Sequence, residues 1–267
     1  MIYVERRPAP PLDGWVRSIW YARAPEVGHA RERVLPNGCV QAIINLDRDF
    51  TWECGEAGRT GKSPHSLVMG TRLVYEIVDS TDLAEVAGIV FAPGGFAPFA
   101  GDAVDSFSNR GIALEDVWGS CARSLRERLV WSREPAAKLC AVEQFLRERF
   151  GSRLTRNCVV DYALGRFRET ACVKEVAAET GRSERYLSQV FRERVGLSPK
   201  AWCRVQRFQR AVRELHRGTD VRWAELAVEC GYYDQAHFAN EFRAFSGIDA
   251  TTYTAGKTVW ANHVAVG

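Results

Sequence analysis

The sequence predicts an α+β chain of two domains: a mostly β N-terminal domain with helices, built as a barrel or sandwich, and an all-α C-terminal domain. A helix–turn–helix pattern occurs twice, in residues 173–202 and 223–253. Short apolar runs separated by turn residues, typical of strands, occupy residues 15–91. Residues 151–267 carry 18 Lys and Arg against 13 Asp and Glu, whereas residues 1–150 carry 18 against 20. We therefore place the domains at 1–150 and 151–267, and the basic second domain suits phosphate binding.

The composition indicates a packed protein of the cytoplasm. Hydrophobic residues make up 46% of the chain, which is enough for packed cores. The eight cysteines include no C-x-x-C pair, and we expect reduced thiols of a cytosolic protein. The start MIYVERRPAPP lacks the apolar stretch of a signal peptide. Since no apolar run approaches the roughly 20 residues of a transmembrane helix, no membrane segment is expected.

The N-terminal domain is predicted to be built from short strands. Residues 1–13 are expected to form an extended lead, and residues 55–64 a polar, Gly-rich loop. A Pro36-Asn37-Gly38 turn introduces a mostly apolar strand at residues 39–46. The other predicted strands are 16–21, 50–54, 66–69, 73–78 and 85–91.

Helical spacing replaces the strand pattern after residue 96. Apolar residues recur at helical spacing from Leu114 to Leu129, and Pro135 begins another helix. A helix at 155–167 opens the C-terminal domain, since Gly151-Ser152 interrupts the pattern before it. The helix from Pro135 either packs on its own domain or pairs with another subunit. Its apolar face consists of Leu139, Val142, Phe145 and Leu146.

Each copy of the repeat has the residue types that a helix–turn–helix unit needs. In the first unit, about 173–195, Gly181 allows a turn with positive φ and Ser183 caps the next helix. In the second unit, about 223–245, Gly231 and Asp234 take the same places. The apolar residues predicted to face inward are Leu187, Val190 and Phe191 in the first unit and Phe238 and Phe242 in the second.

A long helix from Lys200 to His216 is predicted between the two units. Ser198-Pro199 suits its start, and Gly218 suits its end. At about 1.5 Å per residue it spans roughly 25 Å. That length can hold two reading helices near the spacing of successive major grooves, about 34 Å.

The outward side chains of the second helix in each unit are the candidate DNA-reading residues. A short helix held in this way presents its N-terminal half to the major groove. Arg185 suits guanine and Gln189 suits adenine, while Ala236 and Ala239 allow close approach to thymine methyls. Arg185 as a phosphate contact is the alternative. The candidates are Arg182, Arg185, Ser188, Gln189, Arg192, Gln235, Ala236, Ala239, Asn240 and Arg243.

Several residues of the repeat and of the helix between its copies form a recognisable set. They are Gly181, Ser183, Leu187, Phe191, Gly196-Leu197-Ser198-Pro199, Arg207, Ala211, Gly231, Phe238, Phe242, Gly247 and Tyr253. With them, about one hundred of the 267 residues resemble the DNA-binding domain of AraC-type transcription regulators. Gln189 and Asn240 stand where the family often has Arg, and Ala250 replaces the usual Pro.

The N-terminal domain resembles that of a subset of the same family, through LPNGCVQAIINL at 35–46 and FAPGGFAPF at 91–99. In the family, such domains are often cupin-like barrels that sense a ligand, dimerise or do both. The resemblance implies a transcription regulator that binds double-stranded DNA and has no enzymatic activity and no cofactor. RNA polymerase, a small-molecule effector and a second copy of the chain are the further candidate partners.

The rival function is a metal-dependent enzyme or sensor with its catalytic site in the N-terminal barrel. His29, Cys39, Cys54 and His65 carry groups that suit zinc, but their spacings match no tight motif. The sequence contains no nucleophile elbow. We therefore expect core thiols and loop histidines, with no metal site and no catalytic residue.

Three other groups admit two interpretations. Asp79 and Asp82 lack a partner for acid–base catalysis and are expected to be solvated carboxylates. Pro93-Gly94-Gly95 either begins an anion-binding helix or joins a strand to a helix, and the absence of a following Gly-Lys-Ser/Thr favours the turn. Five aromatic side chains either line a pocket or fill the core, which is commoner: Trp15, Trp20, Tyr21, Trp52 and Tyr75.

Overall fold

A computed structural model shows a β-rich N-terminal part with helices, followed by a helical C-terminal part. The predicted α+β fold class is confirmed. The structure describes residues 2–23, 31–47, 50–54, 59–63, 65–79, 84–101, 103–169, 172–218 and 221–266.

The described strands form two antiparallel sheets. They are β1 Ile2–Arg6, β2 Val16–Arg23, β3 Arg31–Val34, β4 Gln41–Asn45, β5 Phe50–Cys54, β6 Arg59–Ser63, β7 Ser66–Met69, β8 Glu76–Asp79, β9 Glu85–Phe91, β10 Gly111–Ala113 and β11 His263–Val266. The six-stranded sheet has the order β1-β2-β9-β4-β7-β10, and the five-stranded sheet has the order β11-β3-β8-β5-β6.

Four of the described α-helices cover one face of the six-stranded sheet. Alternate residues of its central strands, such as Ile19 and Tyr21 in β2, share one core with these helices. The helix from Pro135 buries its apolar face in that core, where Leu139 is 1% exposed. This face therefore packs on its own domain and not on another subunit. The helices are α1 Ala97–Ala100, α2 Leu114–Trp118, α3 Ser120–Trp131 and α4 Pro135–Phe150.

Several elements differ from the sequence prediction. The predicted helix 114–129 is two helices, because Gly119 has a φ of +64° and breaks it between α2 and α3. A strand, β1, replaces the expected extended lead, and β6 lies within the predicted loop 55–64. Strands β3 and β6 read RERV and RTGKS, so no apolar run marked them. Their pairing partners, and not their own pattern, make them strands.

Within its described residues, the C-terminal part contains seven α-helices. The first begins three residues later than predicted, because the Asn157 side chain caps it by accepting from the backbone N–H of Val160 at 3.1 Å. The predicted long helix is confirmed as α8. The helices are α5 Cys158–Arg168, α6 Val173–Glu179, α7 Glu184–Val195, α8 Pro199–Arg217, α9 Trp223–Glu229, α10 Gln235–Ser246 and α11 Ala250–Gly256.

The two parts of the chain share structure at their junction. The last strand, β11, leaves α11 and pairs with β3 of the N-terminal part, with Val264 opposite Arg33. Leu35 and Tyr75 from the N-terminal part lie in the same core as the C-terminal helices. The division at residues 150 and 151 therefore stays a prediction, and the structure adds that residues 263–266 complete a sheet of the N-terminal part.

Gln209 of α8 connects three parts of the chain at this junction. It is 6% exposed, and its Nε2 donates to the Pro36 carbonyl oxygen at 2.8 Å and to Asn262 Oδ1 at 2.7 Å. Gln209→Leu leaves the Pro36 oxygen without this donor, so we expect a loss of about 1–3 kcal/mol of unfolding free energy. Chemical denaturation measures it, with Gln206→Leu one turn earlier as the control. An equal loss in both variants would contradict this role of Gln209.

Candidate nucleic-acid interface

The second helix of each unit, α7 or α10, is fixed at both ends. Ser183 caps α7 by accepting from a backbone N–H at 3.2 Å, and Asp234 caps α10 in the same way at 2.7 Å. Gly196 ends α7 with a φ of +88°, and Gly247 ends α10 with a φ of +68°. Both helices therefore have defined ends, and the direction of each outward face is fixed.

The structure places nine of the ten candidate reading residues on the outward faces of these helices, and Arg182 lies in the turn just before the Ser183 cap of α7. Nine of the ten candidates are exposed, and Ser188 is half-buried. The residues between them that point inward, Leu187 and Phe191 in α7 and Phe238 and Phe242 in α10, are at most 1% exposed. The candidates form one patch on each unit, and their contact with DNA stays a prediction.

The arginines of the two patches keep their positive charge available. Among the described residues, no carboxylate lies within 4.0 Å of the guanidinium groups of Arg182, Arg185, Arg192 or Arg243. The Gln189 amide, in contrast, donates from Nε2 to the Glu193 carboxylate at 2.9 Å. The first patch therefore offers free arginines to a phosphate or a base, whereas Gln189 must exchange an internal hydrogen bond for a base contact.

Two exposed tyrosines border the patches and were missed by sequence reasoning. Tyr186 of α7 is 43% exposed, with the Arg182 guanidinium 5.3 Å from its ring centroid. Tyr233 precedes the cap of α10 and is 88% exposed. The sequence feature that could have identified them is their position. Each lies within three residues of a helix cap, where a large ring has no place in the core to fill.

Glu241 is the acidic residue of α10 that turns inward. It is 7% exposed, and its carboxylate lies 2.7 Å from Arg204 Nε and 3.1 Å from Arg207 Nη2. Arg207 also covers the ring of Tyr232, whose pKa is raised well above its ordinary value, first by burial and then by the charge of Glu241. These contacts join α8 to α10, so the Glu241 charge is neutralised inside the domain.

The Pro93-Gly94-Gly95 segment is a turn that joins β9 to α1. Gly94 has a φ of +75° and packs near Leu164, Val160 and Val195 of the C-terminal helices. The backbone N–H of Gly95 donates to the Ala92 carbonyl oxygen at 2.7 Å. The turn interpretation is confirmed, and the segment is part of the contact between the two parts of the chain.

The aromatic side chains fill cores in most of the places the sequence singled out. Trp15 and Tyr21 lie in the N-terminal core, at 8% and 2% exposure. Tyr75 lies in the core of the C-terminal helices and is 8% exposed. Trp20 is half-buried, and the side chain of Trp52 lies outside the described residues.

The residues considered for the metal-dependent rival do not form a site in the described ranges. Cys39 is buried, His65 is half-buried, and His29 and the Cys54 side chain lie outside these ranges. Within them, no three His, Cys, Asp or Glu side chains are grouped to hold a metal ion. Asp79 ends β8, and Asp82 is not described.

The described cysteines bear on the expectation of reduced thiols. Burial raises the pKa of Cys39, and burial raises the pKa of Cys230 to about 11, so both thiols are protonated at neutral pH. Free thiols are present at Cys39, Cys121, Cys140, Cys158, Cys172, Cys203 and Cys230.

None of the helices described is long and apolar enough to span a bilayer.

Two known domain families match separate parts of the chain. Residues 4–113 match a domain of unknown function, DUF6597. Residues 176–256 match a helix–turn–helix domain family. A curated relative, the HTH-type transcriptional activator RhaS of Klebsiella pneumoniae (strain 342), is 34% identical over 77 residues. That match covers 29% of this chain and 27% of RhaS, so the chain spans about a quarter of this relative's length.

Solved structures resemble the chain over different lengths. ToxT from Vibrio cholerae covers 96% of this chain and 98% of its own, with a TM-score of 0.48 and 7% identity. The DNA-binding domain of AdpA, solved in complex with a target DNA, covers 36% of this chain and 86% of its own, with a TM-score of 0.32 and 30% identity.

Proposed function

Because the chain is an AraC-type transcription regulator by its C-terminal double helix–turn–helix domain, we propose that it binds double-stranded DNA through both units and thereby controls transcription. The observation that best supports this proposal is the repeated helix–turn–helix unit. Two helices with caps at both ends present equivalent outward patches, and a long helix joins their units. A single chain therefore carries two reading surfaces for two neighbouring half-sites.

The two patches are proposed to read different sequences. In α7, Arg185 and Gln189 lie four residues apart and reach neighbouring bases, with Arg favouring guanine and Gln favouring adenine. In α10, Ala236 and Ala239 are exposed and small, so the helix approaches the groove closely and meets thymine methyl groups. The first half-site should favour a guanine, and the second should be A·T-rich, about one helical turn away.

Arg185→Ala is expected to weaken binding by about 1–3 kcal/mol and to relax base preference at one position of the first half-site. The reason is that a bidentate contact with guanine discriminates against the other bases, whereas alanine reaches none of them. Selection of sites from random DNA by the full-length wild type and by Arg185→Ala measures both effects.

Arg192→Ala is the matched control, since Arg192 lies two turns along the same helix and is also exposed. As a phosphate contact, its loss should weaken all sequences alike and reduce the salt dependence of binding. If Arg185→Ala selected the wild-type motif with uniformly lower affinity, Arg185 would be a phosphate contact. If the wild type bound no DNA at low salt, the proposed function itself would fail.

The N-terminal part is proposed to make DNA binding responsive to a small-molecule effector. Its resemblance to a subset of the family supports this role, and so does its shared core with the reading units. A thermal-shift screen of the full-length protein against metabolites tests it. Stabilisation by a metabolite without any change in DNA affinity would separate ligand binding from regulation.

The remaining partners follow from the same function. A regulator of this kind works where chromosomal DNA and RNA polymerase are, which in bacteria is the cytoplasm, and it needs no catalytic residue. Self-association is proposed through a strand edge, because α4 uses its apolar face within its own domain. Sedimentation of the full-length protein decides between a monomer and a dimer.

A further inference from the structure

The C-terminal ends of α7 and α10 both rest on one short loop of the N-terminal part. This loop, residues 70–75, connects β7 to β8. A methyl group added to Gly196 would lie 2.5 Å from Thr71 Oγ1, and one added to Gly247 would overlap the ring of Tyr75. Since both glycines end a reading helix, the loop touches the equivalent point of both helices.

At the end of α7, the contact combines a hydrogen bond with apolar packing. The Ser108 hydroxyl donates to the carbonyl oxygen of Gly196 and lies 3.3 Å from the Thr71 hydroxyl. A methyl group on Gly196 would also lie 3.1 Å from Val104 Cγ1. The carbonyl of Gly196, the residue that caps the C-terminus of α7, is therefore satisfied by the N-terminal part.

At the end of α10, a cation takes the same role. Arg33 Nη1 donates to the carbonyl oxygen of Ser246 at 2.7 Å, and its guanidinium lies 4.2 Å from the centroid of the Tyr75 ring. A positive charge at the C-terminus of a helix is favoured by the helix dipole. Arg33 lies on β3, whose backbone pairs with the last strand of the chain, so the contact is anchored on both sides.

The loop between the two contacts is itself held in place. Arg72 and Glu76 form an ion pair with side chains 6% and 3% exposed. The backbone N–H of Asn109 donates to Thr71 O at 2.9 Å, and Asn109 Oδ1 accepts from the backbone N–H of Leu73 at 3.2 Å. These bonds fix the loop to the segment that carries Ser108.

The length of this loop limits how far apart the two helix ends can be. Thr71 and Tyr75 are four residues apart, and four extended residues span at most about 14 Å. Helix α8, which is 19 residues long, is a second connection between the two units. One connection fixes a distance, whereas two connections at different points also restrict the rotation of one unit against the other.

We propose that loop 70–75, with Ser108 and Arg33, positions the two reading helices relative to each other and so sets the spacing of the two half-sites that the protein accepts. This inference rests on the proposed binding of DNA by both units. Ser108 and Arg33 act at the C-terminal ends of the two helices, at the opposite end from the Ser183 and Asp234 caps that enter the groove. Their substitution should change the range of spacer lengths that the protein accepts and leave the preferred bases within each half-site unchanged.

The experiment uses full-length protein and a set of DNA sites that keep both half-sites and vary only the spacer by one or two base pairs. The wild type should prefer one spacer. Ser108→Ala/Arg33→Ala removes both hydrogen bonds, and a hydrogen bond is worth a factor of about five in an equilibrium constant, so discrimination against a one-base-pair insertion should fall by about 5–25-fold. Site selection should return the same half-site bases with a wider range of spacers. Ser106→Ala/Arg31→Ala is the matched control, because these exposed residues lie two positions away from the two positioning residues.

Each outcome decides a separate question. An unchanged spacer preference in a folded double variant overturns the positioning role. A wild type that selects no bipartite site overturns the proposed function instead. If circular dichroism shows the double variant to be unfolded, the single variants Ser108→Ala and Arg33→Ala replace it, each with about half of the expected change on a logarithmic scale. Equal widening in the control variant would also overturn the assignment.

Discussion

Gly247→Ala is expected to lower the free energy of unfolding by about 2–5 kcal/mol, whereas Gly181→Ala should cost only about 1–2 kcal/mol. Both glycines have a φ near +65°, at +68° and +63°, and both lie at the end of a helix of their unit. Alanine in this region costs about 1–2 kcal/mol for its backbone conformation alone. Any difference between the two variants therefore reports their surroundings.

The surroundings differ because only Gly247 faces the N-terminal part. No atom lies within 4 Å of a methyl group added to Gly181, whereas one added to Gly247 would overlap the Tyr75 ring and lie 2.7 Å from Arg33 Nη1. Tyr75 is 8% exposed, so its ring has little room to move. Equilibrium denaturation of the three proteins measures both costs. Equal losses of unfolding free energy in the two variants would mean that the Tyr75 ring moves aside freely. The close contact at the end of α10 would then make no contribution to stability.

The repeat shows how much of the candidate site a sequence can predict. Gly181, Ser183 and the inward Leu187 follow local rules of turns, caps and helical period, and the structure has them as predicted. Nine outward residues followed from the same period. The two exposed tyrosines could not be predicted in this way, because a pattern of polar and apolar residues assigns a tyrosine such as Tyr233 to neither face. Local rules therefore fix which face points outward, but not every side chain that borders it.

The strands show why part of the fold could not be predicted. Residues 50–54, 66–69 and 85–91 are strands with the predicted bounds, because apolar runs and turn residues mark them. β3 reads RERV, without such a mark, and it becomes a strand by pairing with β8 on one side and with β11 on the other, where Arg33 lies opposite Val264. Pairing at this distance is a property of the whole chain, so the junction of the two parts was visible only in the structure.

Val264→Asp is expected to cost about 3 kcal/mol of unfolding free energy and to lower the midpoint of thermal unfolding by about 6–12 °C. Val264 is 3% exposed and lies in the core of the C-terminal helices, where a carboxylate has no solvent. The loss of unfolding free energy has an upper limit, because β11 is the last strand and can detach from β3. The variant then loses the apolar burial of Val264 and the strand pairing, but it does not keep a buried charge.

Ala265→Asn is the control, because the next residue of the strand points to the opposite face and is exposed. An uncharged polar side chain is chosen because Ala265 pairs with Glu32, and a second carboxylate there would face a like charge. The effect of Ala265→Asn should stay within about 0.5 kcal/mol. Detachment of β11 in the Val264 variant also separates His263 from Glu32, now 2.7 Å apart, and opens the C-terminal residues to proteases. Limited proteolysis beside thermal unfolding therefore distinguishes a detached strand from a general loss of stability. A Val264→Asp variant with wild-type melting and protease resistance would show that β11 contributes nothing to the junction, and the pairing of β3 with β8 would then be enough to hold Arg33 at the end of α10.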